Sequence, residues 1–520
     1  MRSIDLSQSL TIEDVLDVAH QRATAHLGPV GRQRVARAHA VVTAFVSQHD
    51  TPRYGINTGF GALAEVVIAD SQLSELQQNL VRSHACGVGA ALPEAVVRAM
   101  ILLRAQVLAA GHSGVRPVVI DALCALLDHK VHPIVPCQGS VGASGDLAPL
   151  AHLALVLLGE GEASHGGLRM PAGAALSAAG LEPLQLQAKE GLSLINGTQA
   201  MTALAVVALG RSEQLCRAAD ICGAMTVEAQ LATDKAFDPR IVAVRPYPGA
   251  LTVAANLRAL TAGSPLVASH AGPEDHKVQD PYSIRCMPQV HGAVRDALRH
   301  VREVLTIEIA AVTDNPLIFV EDGEDPQQGA ILSGGNFHGQ PVAIACDLAR
   351  TALASLASMA ERRIEQLVNP ALNSGLPAFL ARHSGLNSGF MMAQVTAAAL
   401  VSESKGLCMP SSVDSIPSSA NREDHVSMGP IAARRWLDVV QMAEQVVAIE
   451  WLCAAQGLDL RAPLQAAAAT SAAHRRLREV VPPLTRDRIL YRDIEAATAL
   501  LRDGVLEQAV RAVLLQGQLQ

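Results

Sequence analysis

The sequence is poor in aromatic residues, 2% of 520, although 49% of it is hydrophobic. Its interior must therefore be filled by Ala, Leu and Val, and Ala-rich interiors favour closely packed helices. No C-x-x-C pair occurs among the nine cysteines, at 86, 124, 137, 216, 222, 286, 346, 408 and 453. Such an odd, scattered set signals neither a disulfide framework nor a metal site, and it fits a reducing compartment. The net charge of −8 contains no block of like charges, which argues against nucleic acid or an anionic membrane as partner and favours a small molecule. The first ten residues lack the apolar core of a signal peptide, and no run of about 18 apolar residues is present to span a bilayer. A cytoplasmic protein is expected.

What the chain does contain is helical periodicity broken by glycine-rich polar loops. Thr11 opens a capping-box-like Thr-Ile-Glu-Asp, and helix-compatible sequence runs from there towards His49. Residues 50–62 then hold three glycines and a proline, with Tyr54 beside Gly55, and read as a mobile or tightly turned loop. Gly59-x-Gly61-x-x-Ala64 within it matches a dinucleotide fingerprint in letters only, because no apolar strand precedes it and no βαβ pattern follows. The helical period resumes at Ser71, breaks at Gly87-Val88-Gly89 and returns through Val97, Met100, Leu102 and Leu103. Further helices are predicted through Leu150 and Leu157, over 199–232, from Val294 to Ile309, over 341–368 and over 430–456. Residues 160–175 read as a surface hairpin or excursion, and 262–283 as a long polar loop. The pattern predicts a mainly α protein, a bundle of long helices with polar loops gathered at their ends.

The most unusual stretch is 139–153, where Gly-Ser-Val-Gly-Ala-Ser-Gly-Asp runs straight into an apolar helix. Gly142 and Gly145 permit backbone geometries that a Cβ resists, and Asp146 sits where it could cap or polarise the helix that follows. Taken alone, these residues are equally a glycine-rich turn.

Four segments change that reading: Tyr54-Gly-Ile-Asn-Thr-Gly-Phe-Gly61, Gly142-Ala-Ser-Gly-Asp-Leu147, Gln279-Asp-Pro-Tyr-Ser-Ile-Arg285 and Asn421-Arg-Glu-Asp-His425. In sequence and in order they resemble the aromatic amino acid ammonia-lyase family, and within it the histidine-specific members. The resemblance implies a fumarase/aspartase-like helical superfold. It also implies a division into an N-terminal domain, 1–197, with the lid loop and the Ala-Ser-Gly loop, and a long helical-bundle domain, 198–520, with substrate-binding loops.

For Ala143, Ser144 and Gly145 the resemblance implies autocatalytic cyclisation to a methylidene-imidazolone, MIO, with no dissociable cofactor. An amide nitrogen is a poor nucleophile, so this step needs a compressed loop. Tyr54 matches the family's base for the weakly acidic β-proton. An ordinary tyrosine has a pKa of about 10, so nearby cations or helix N-termini are expected to lower it. Tyr282 matches a second catalytic tyrosine, and Arg285 is a bidentate partner for the substrate carboxylate. Asn196 corresponds to a residue contacting the electrophile and the carboxylate, and Gln279 and Phe337 to pocket-lining positions. Family members are homotetramers with active sites shared between subunits.

Ser83 and His84 match the pair carried by histidine-specific members, and Glu423 would accept from the imidazole ring. The implied reaction converts L-histidine to trans-urocanate and ammonia. Lysis or aminomutation of tyrosine or another aromatic amino acid shares the electrophile, and a catalytically silent helical scaffold that binds a ligand is the reading from another class. A serine hydrolase is weaker, since Ser144 lacks the Gly-x-Ser-x-Gly spacing. Three places depart from the histidine-specific pattern. Arg422 replaces a usual Gln and puts a cation beside Glu423, Met287 replaces another Gln, and 271–276 differ from the usual sequence.

Overall fold

The computed structural model describes residues 2–48, 52–59, 61–63, 65–270, 272, 277–321, 323, 325, 328–515 and 519–520. They form a mainly α protein with a few short two- and three-stranded sheets. Contacts divide the chain into two compact units, each assembled from separate stretches. Met1–Ala208, Arg302–Asp347 and Pro410–Arg434 make the first, and Leu209–Val301, Leu348–Met409 and Arg435–Gln520 the second. The 197/198 boundary follows chain order, whereas these units interleave, and four of their five borders fall inside the long helices Gln199–Ala229, Met287–Glu308, Gln340–Val368 and Gly429–Leu460.

The first unit is built on the helix Glu94–Ala109, buried without interruption from Val96 to Ala109. It packs against Ile12–Ala19 and Pro117–Asp128. Ile12–Ala19 starts as its sequence predicts: the Thr11 hydroxyl accepts from the Asp14 N–H at 3.1 Å, and the Asp14 carboxylate accepts from the Thr11 N–H at 2.9 Å. The continuous helix expected towards His49 does not form. Strand Ala23–His26 pairs in parallel with Arg2–Asp5, and a new helix, Pro29–Gln48, follows Gly28, whose N–H is held by the Asp5 carboxylate at 3.1 Å. His49 itself lies outside the described residues.

Residues 160–175 contain the expected hairpin, Glu162–His165 paired with Leu168–Pro171. Strand Val88–Ala91 pairs antiparallel with Pro136–Gln138. This pairing links the end of helix Leu73–His84 to the entrance of the 139–147 loop.

In the second unit small residues let helices approach closely. Helix Pro248–Thr261 meets Met287–Glu308 where a Cβ on Gly249 would fall 2.1 Å from the Gly292 carbonyl oxygen. Buried charges are paired there: Arg363 forks onto Glu450 at 2.6 and 2.8 Å, and Asp220 holds both His291 and Arg295 at 2.7 Å. Helices Pro117–Asp128, Pro248–Thr261, Met391–Leu407, Ala468–Arg478 and Tyr491–Arg502 are absent from the sequence reading. By length and composition Gln340–Val368 alone, among the described residues, could cross a bilayer, but 61% of its most apolar window is buried, as in a core helix.

Candidate active site

The Ala-Ser-Gly loop is held in a conformation that side chains resist. Gly142, Ser144, Gly145 and Leu147 have φ of +77°, +49°, +77° and +47°. Ser144 and Leu147 carry a Cβ, and holding such residues at these positive φ values costs on the order of 1–3 kcal/mol each. The clamp that holds them is Gly197. Its carbonyl accepts from the Asp146 N–H at 2.7 Å, and its N–H donates to the Ser144 carbonyl at 3.3 Å. Both bonds run through neighbours of Gly145, so the Gly145 N–H takes no part in the bridge. The Met428 N–H secures the loop's entrance by donating to the Val141 carbonyl at 2.9 Å.

Asp146 does not cap the helix that follows it. Its fully buried carboxylate accepts from the N–H groups of Ala200 and Met201, at 2.5 and 3.1 Å, and so caps helix Gln199–Ala229 instead. Its own helix, Ala148–Leu157, begins only after Leu147 has turned the chain away. Burial pushes the Asp146 carboxyl up to about 7, opposed by those two donors and by the charge of Arg104.

Arg104 is the residue that sequence reasoning missed. It is fully buried, and its Nη1 donates to the Asn196 carbonyl at 2.7 Å. Burial draws its pKa down to about 10, opposed by the carboxylates of Asp314 and Asp146, so it stays a cation at neutral pH. Asp314 is itself paired with the buried Lys189 at 3.0 Å. Two arginines inside the apolar run 96–109, Arg98 and Arg104, were the available signal, since arginine is almost never fully buried unless paired.

Glu423 lies beside the loop. It closes a tight turn through a bridge with Ser418, across Ser419, Ala420 and Asn421, all at positive φ. One carboxylate oxygen accepts from the Ser418 hydroxyl at 2.7 Å and the other from the Ser144 hydroxyl at 3.3 Å. Tyr54 is half-buried and within electrostatic reach of Glu423. The expected lowering of its pKa is reversed: burial pushes the phenol above its ordinary value, a hydrogen bond with the Gly61 backbone draws it back, and the Glu423 charge pushes it up again. Arg422 turns away from Glu423. It is exposed and reaches outward to Glu65 at 3.1 Å.

His84 ends helix Leu73–His84, and its Nδ1 lies 2.8 Å from the Leu80 carbonyl. A carbonyl only accepts, so Nδ1 carries the hydrogen and Nε2 is left as the acceptor in the neutral ring. The Ser83 hydroxyl donates to the same carbonyl at 3.0 Å. Asn196 is buried next to the Gly197 clamp, and its amide N–H donates to the Asn315 carbonyl at 3.0 Å. Phe337 is half-buried in the turn before helix Gln340–Val368.

Gln279, Tyr282 and Arg285 belong to the second unit. Gln279 is exposed, and Tyr282 is 70% exposed at the start of the short helix Tyr282–Arg285. The Arg285 guanidinium lies over the Tyr282 ring, 4.6 Å from its centroid, a cation–π contact that orients both side chains. Met287 is fully buried against Gly223, so the departure there concerns helix packing. Of 271–276 only Gly272 is among the described residues.

This mainly α chain is a carbon–nitrogen lyase by the family it matches and the relatives it resembles. Residues 10–479 match the aromatic amino acid lyase family, and the chain belongs to it. It is 57% identical to the histidine ammonia-lyase of Sorangium cellulosum over 508 residues, 97% of this chain and 98% of that one. Among solved structures it is similar to histidine ammonia-lyase from Trypanosoma cruzi, with a TM-score of 0.90 and 42% identity over 100% of this chain and 96% of that one. It is also similar to tyrosine aminomutase from Streptomyces globisporus, with a TM-score of 0.90 and 37% identity over the whole of both chains.

Proposed function

We propose that this chain is an ammonia-lyase that converts L-histidine to trans-urocanate and ammonia, using MIO formed from its own Ala143, Ser144 and Gly145. The observation that carries the reading is the Gly197 clamp, which holds Ser144 and Gly145 at positive φ and leaves the Gly145 N–H outside its hydrogen bonds. These residues fit the group. The Gly145 nitrogen bonds to the Ala143 carbonyl carbon, and that oxygen leaves as water with the hydrogens of the Gly145 and Ser144 nitrogens. The Ser144 hydroxyl then leaves as a second water with the Ser144 Cα hydrogen. Once formed, the group would supply the electrophile that activates the substrate amine as a leaving group.

The other residues bind, orient and move protons. Arg285 takes the substrate carboxylate, Tyr282 serves as the second catalytic tyrosine, and Gln279 and Asn196 bind substrate. Tyr54, as phenolate, removes the β-proton; its raised pKa makes it a strong base but leaves little of it ionised at neutral pH. Glu423 accepts a ring N–H, and Ser83 and His84 complete the polar end of a pocket that includes Phe337. Identity to the Sorangium histidine ammonia-lyase supports histidine as substrate. The likeness to tyrosine aminomutase supports a second reading, rearrangement or lysis of tyrosine.

The proposed assembly is a homotetramer in the cytoplasm, with each active site completed by other copies. The exposed Tyr282, presented by the second unit with Arg285 stacked on it, supports a shared site. Mass spectrometry of the peptide spanning residue 144 tests the cofactor: loss of two waters is expected, and its absence from folded protein would leave a silent scaffold. The product's ultraviolet spectrum tests the substrate: urocanate from histidine is expected, and coumarate or β-tyrosine from tyrosine alone overturns it.

A further inference from the structure

Arg104 is an expensive residue to bury. It is fully enclosed, and among the described residues Nη1 has a hydrogen-bond partner while Nε and Nη2 find none. A buried cation so incompletely satisfied is destabilising compared with an apolar side chain of similar volume. Of its two neighbouring carboxylates, Asp314 already has Lys189 as a partner at 3.0 Å.

What Arg104 does touch is the peptide between Asn196 and Gly197. That peptide's carbonyl accepts from the guanidinium, and its N–H donates to the Ser144 carbonyl. The Ser144 carbonyl belongs in turn to the peptide whose nitrogen is Gly145. The arrangement is therefore a relay: guanidinium, peptide 196–197, peptide 144–145. A charge at one end polarises each successive hydrogen bond, most strongly where water is excluded. The relay ends beside two of the three bonds to hydrogen that cyclisation and dehydration must break. Polarising the Ser144 carbonyl acidifies the Gly145 N–H, which is lost as the nitrogen bonds to Ala143. It also acidifies the Ser144 Cα–H, which is lost with the hydroxyl.

We propose that Arg104 is a positioning residue for MIO formation, fixing the Gly197 clamp and polarising peptide 144–145 so that cyclisation and dehydration proceed. The proposal rests on the cofactor reading above. Arg104 acts before catalysis and needs no contact with substrate.

The test follows the two-water loss in full-length protein made by cell-free synthesis and sampled over time by mass spectrometry of the peptide containing residue 144. Wild type, Arg104→Lys, Arg104→Gln and Arg104→Met are compared, with Tm recorded for each. The wild type should lose two waters, Arg104→Lys should do so more slowly, and the neutral variants about tenfold to a hundredfold more slowly still, the range expected on losing a charge-assisted hydrogen bond. A purely structural arginine would lower Tm and leave the cyclisation rate alone; folded Arg104→Gln or Arg104→Met maturing at the wild-type rate overturns the proposal. If both neutral variants aggregate, Arg104→Lys decides: slower maturation supports the relay and equal speed overturns it. A wild type that never loses water sinks the cofactor reading instead, so the two failures are distinguishable.

Discussion

Gly145 lies so close to Gly197 that a Cβ built on Gly145 would sit 2.2 Å from the Gly197 carbonyl oxygen. Nor is there room on the other side, where a Cβ on Gly197 would fall 2.5 Å from Gln199 Oε1 and 2.9 Å from Thr313 Oγ1, at a φ of +142°. Gly197→Ala, strained at this φ and crowded by Gln199 and Thr313, should therefore displace the Gly197 backbone and break both hydrogen bonds that flank Gly145. The expected result is folded protein, destabilised by about 1–3 kcal/mol, in which residue 144 keeps both waters. Peptide mass spectrometry beside a urea titration checks it, and complete cyclisation in the variant would show that the clamp is dispensable.

Arg422 and Glu65 form an ion pair whose side chains are 61% and 87% exposed. Exposed pairs contribute little, about 0–1 kcal/mol, because water and salt screen them. Arg422→Gln should accordingly leave Tm and kcat/KM for histidine close to wild type, within about a factor of two. A large gain in kcat/KM would mean that the cation does act on the ring site.

That departure shows where the sequence was a good guide and where it was not. The motifs named Ser144 and Glu423 as parts of one site although they lie far apart in the chain, and in the fold the Ser144 hydroxyl donates to the Glu423 carboxylate at 3.3 Å. Periodicity located the long helices, because their apolar stripes repeat over many turns. It missed the break after Ala19, where a short parallel strand pair overrides a helix-compatible sequence, and it missed helix Met391–Leu407, whose apolar residues are largely exposed. Side-chain direction was the harder matter. Neighbours in sequence such as Arg422 and Glu423 point to different partners because the turn between Ser418 and Glu423 uses successive positive φ values. Asp146 and Tyr54 went astray for one reason: both are governed by burial among residues distant in sequence, which no local pattern records.

Tyr54 and Glu423 make a linked prediction about pH. Burial and the Glu423 charge hold the Tyr54 phenol above the ordinary value of 10.0. A base that works as its phenolate gains population as pH rises towards that raised value, so kcat should climb through the alkaline range. Glu423→Gln removes the negative charge, lowers the Tyr54 pKa and should move this rising limb to lower pH while raising KM for histidine. Tyr54→Phe should retain the two-water loss and lose about 10²–10⁴-fold in kcat, the usual contribution of a positioned general base. An unmoved limb in Glu423→Gln would separate the two residues.

Asp146 predicts how stability should vary with pH. Its folded pKa is raised from 3.8 to about 7, chiefly by burial, so the folded state binds a proton more tightly than the unfolded chain does. The stability this contributes is fully present below 3.8 and is lost as pH rises through about 7. At about 1.4 kcal/mol per unit, the loss amounts to a few kcal/mol at most. Asp146→Asn cannot titrate, and its amide keeps one acceptor for the Ala200 and Met201 N–H groups. The difference in Tm between wild type and Asp146→Asn should therefore favour wild type most near pH 4 and shrink or reverse by pH 8. A difference constant across that range would mean that Asp146 stays ionised, with the charge of Arg104 and the two backbone donors outweighing burial.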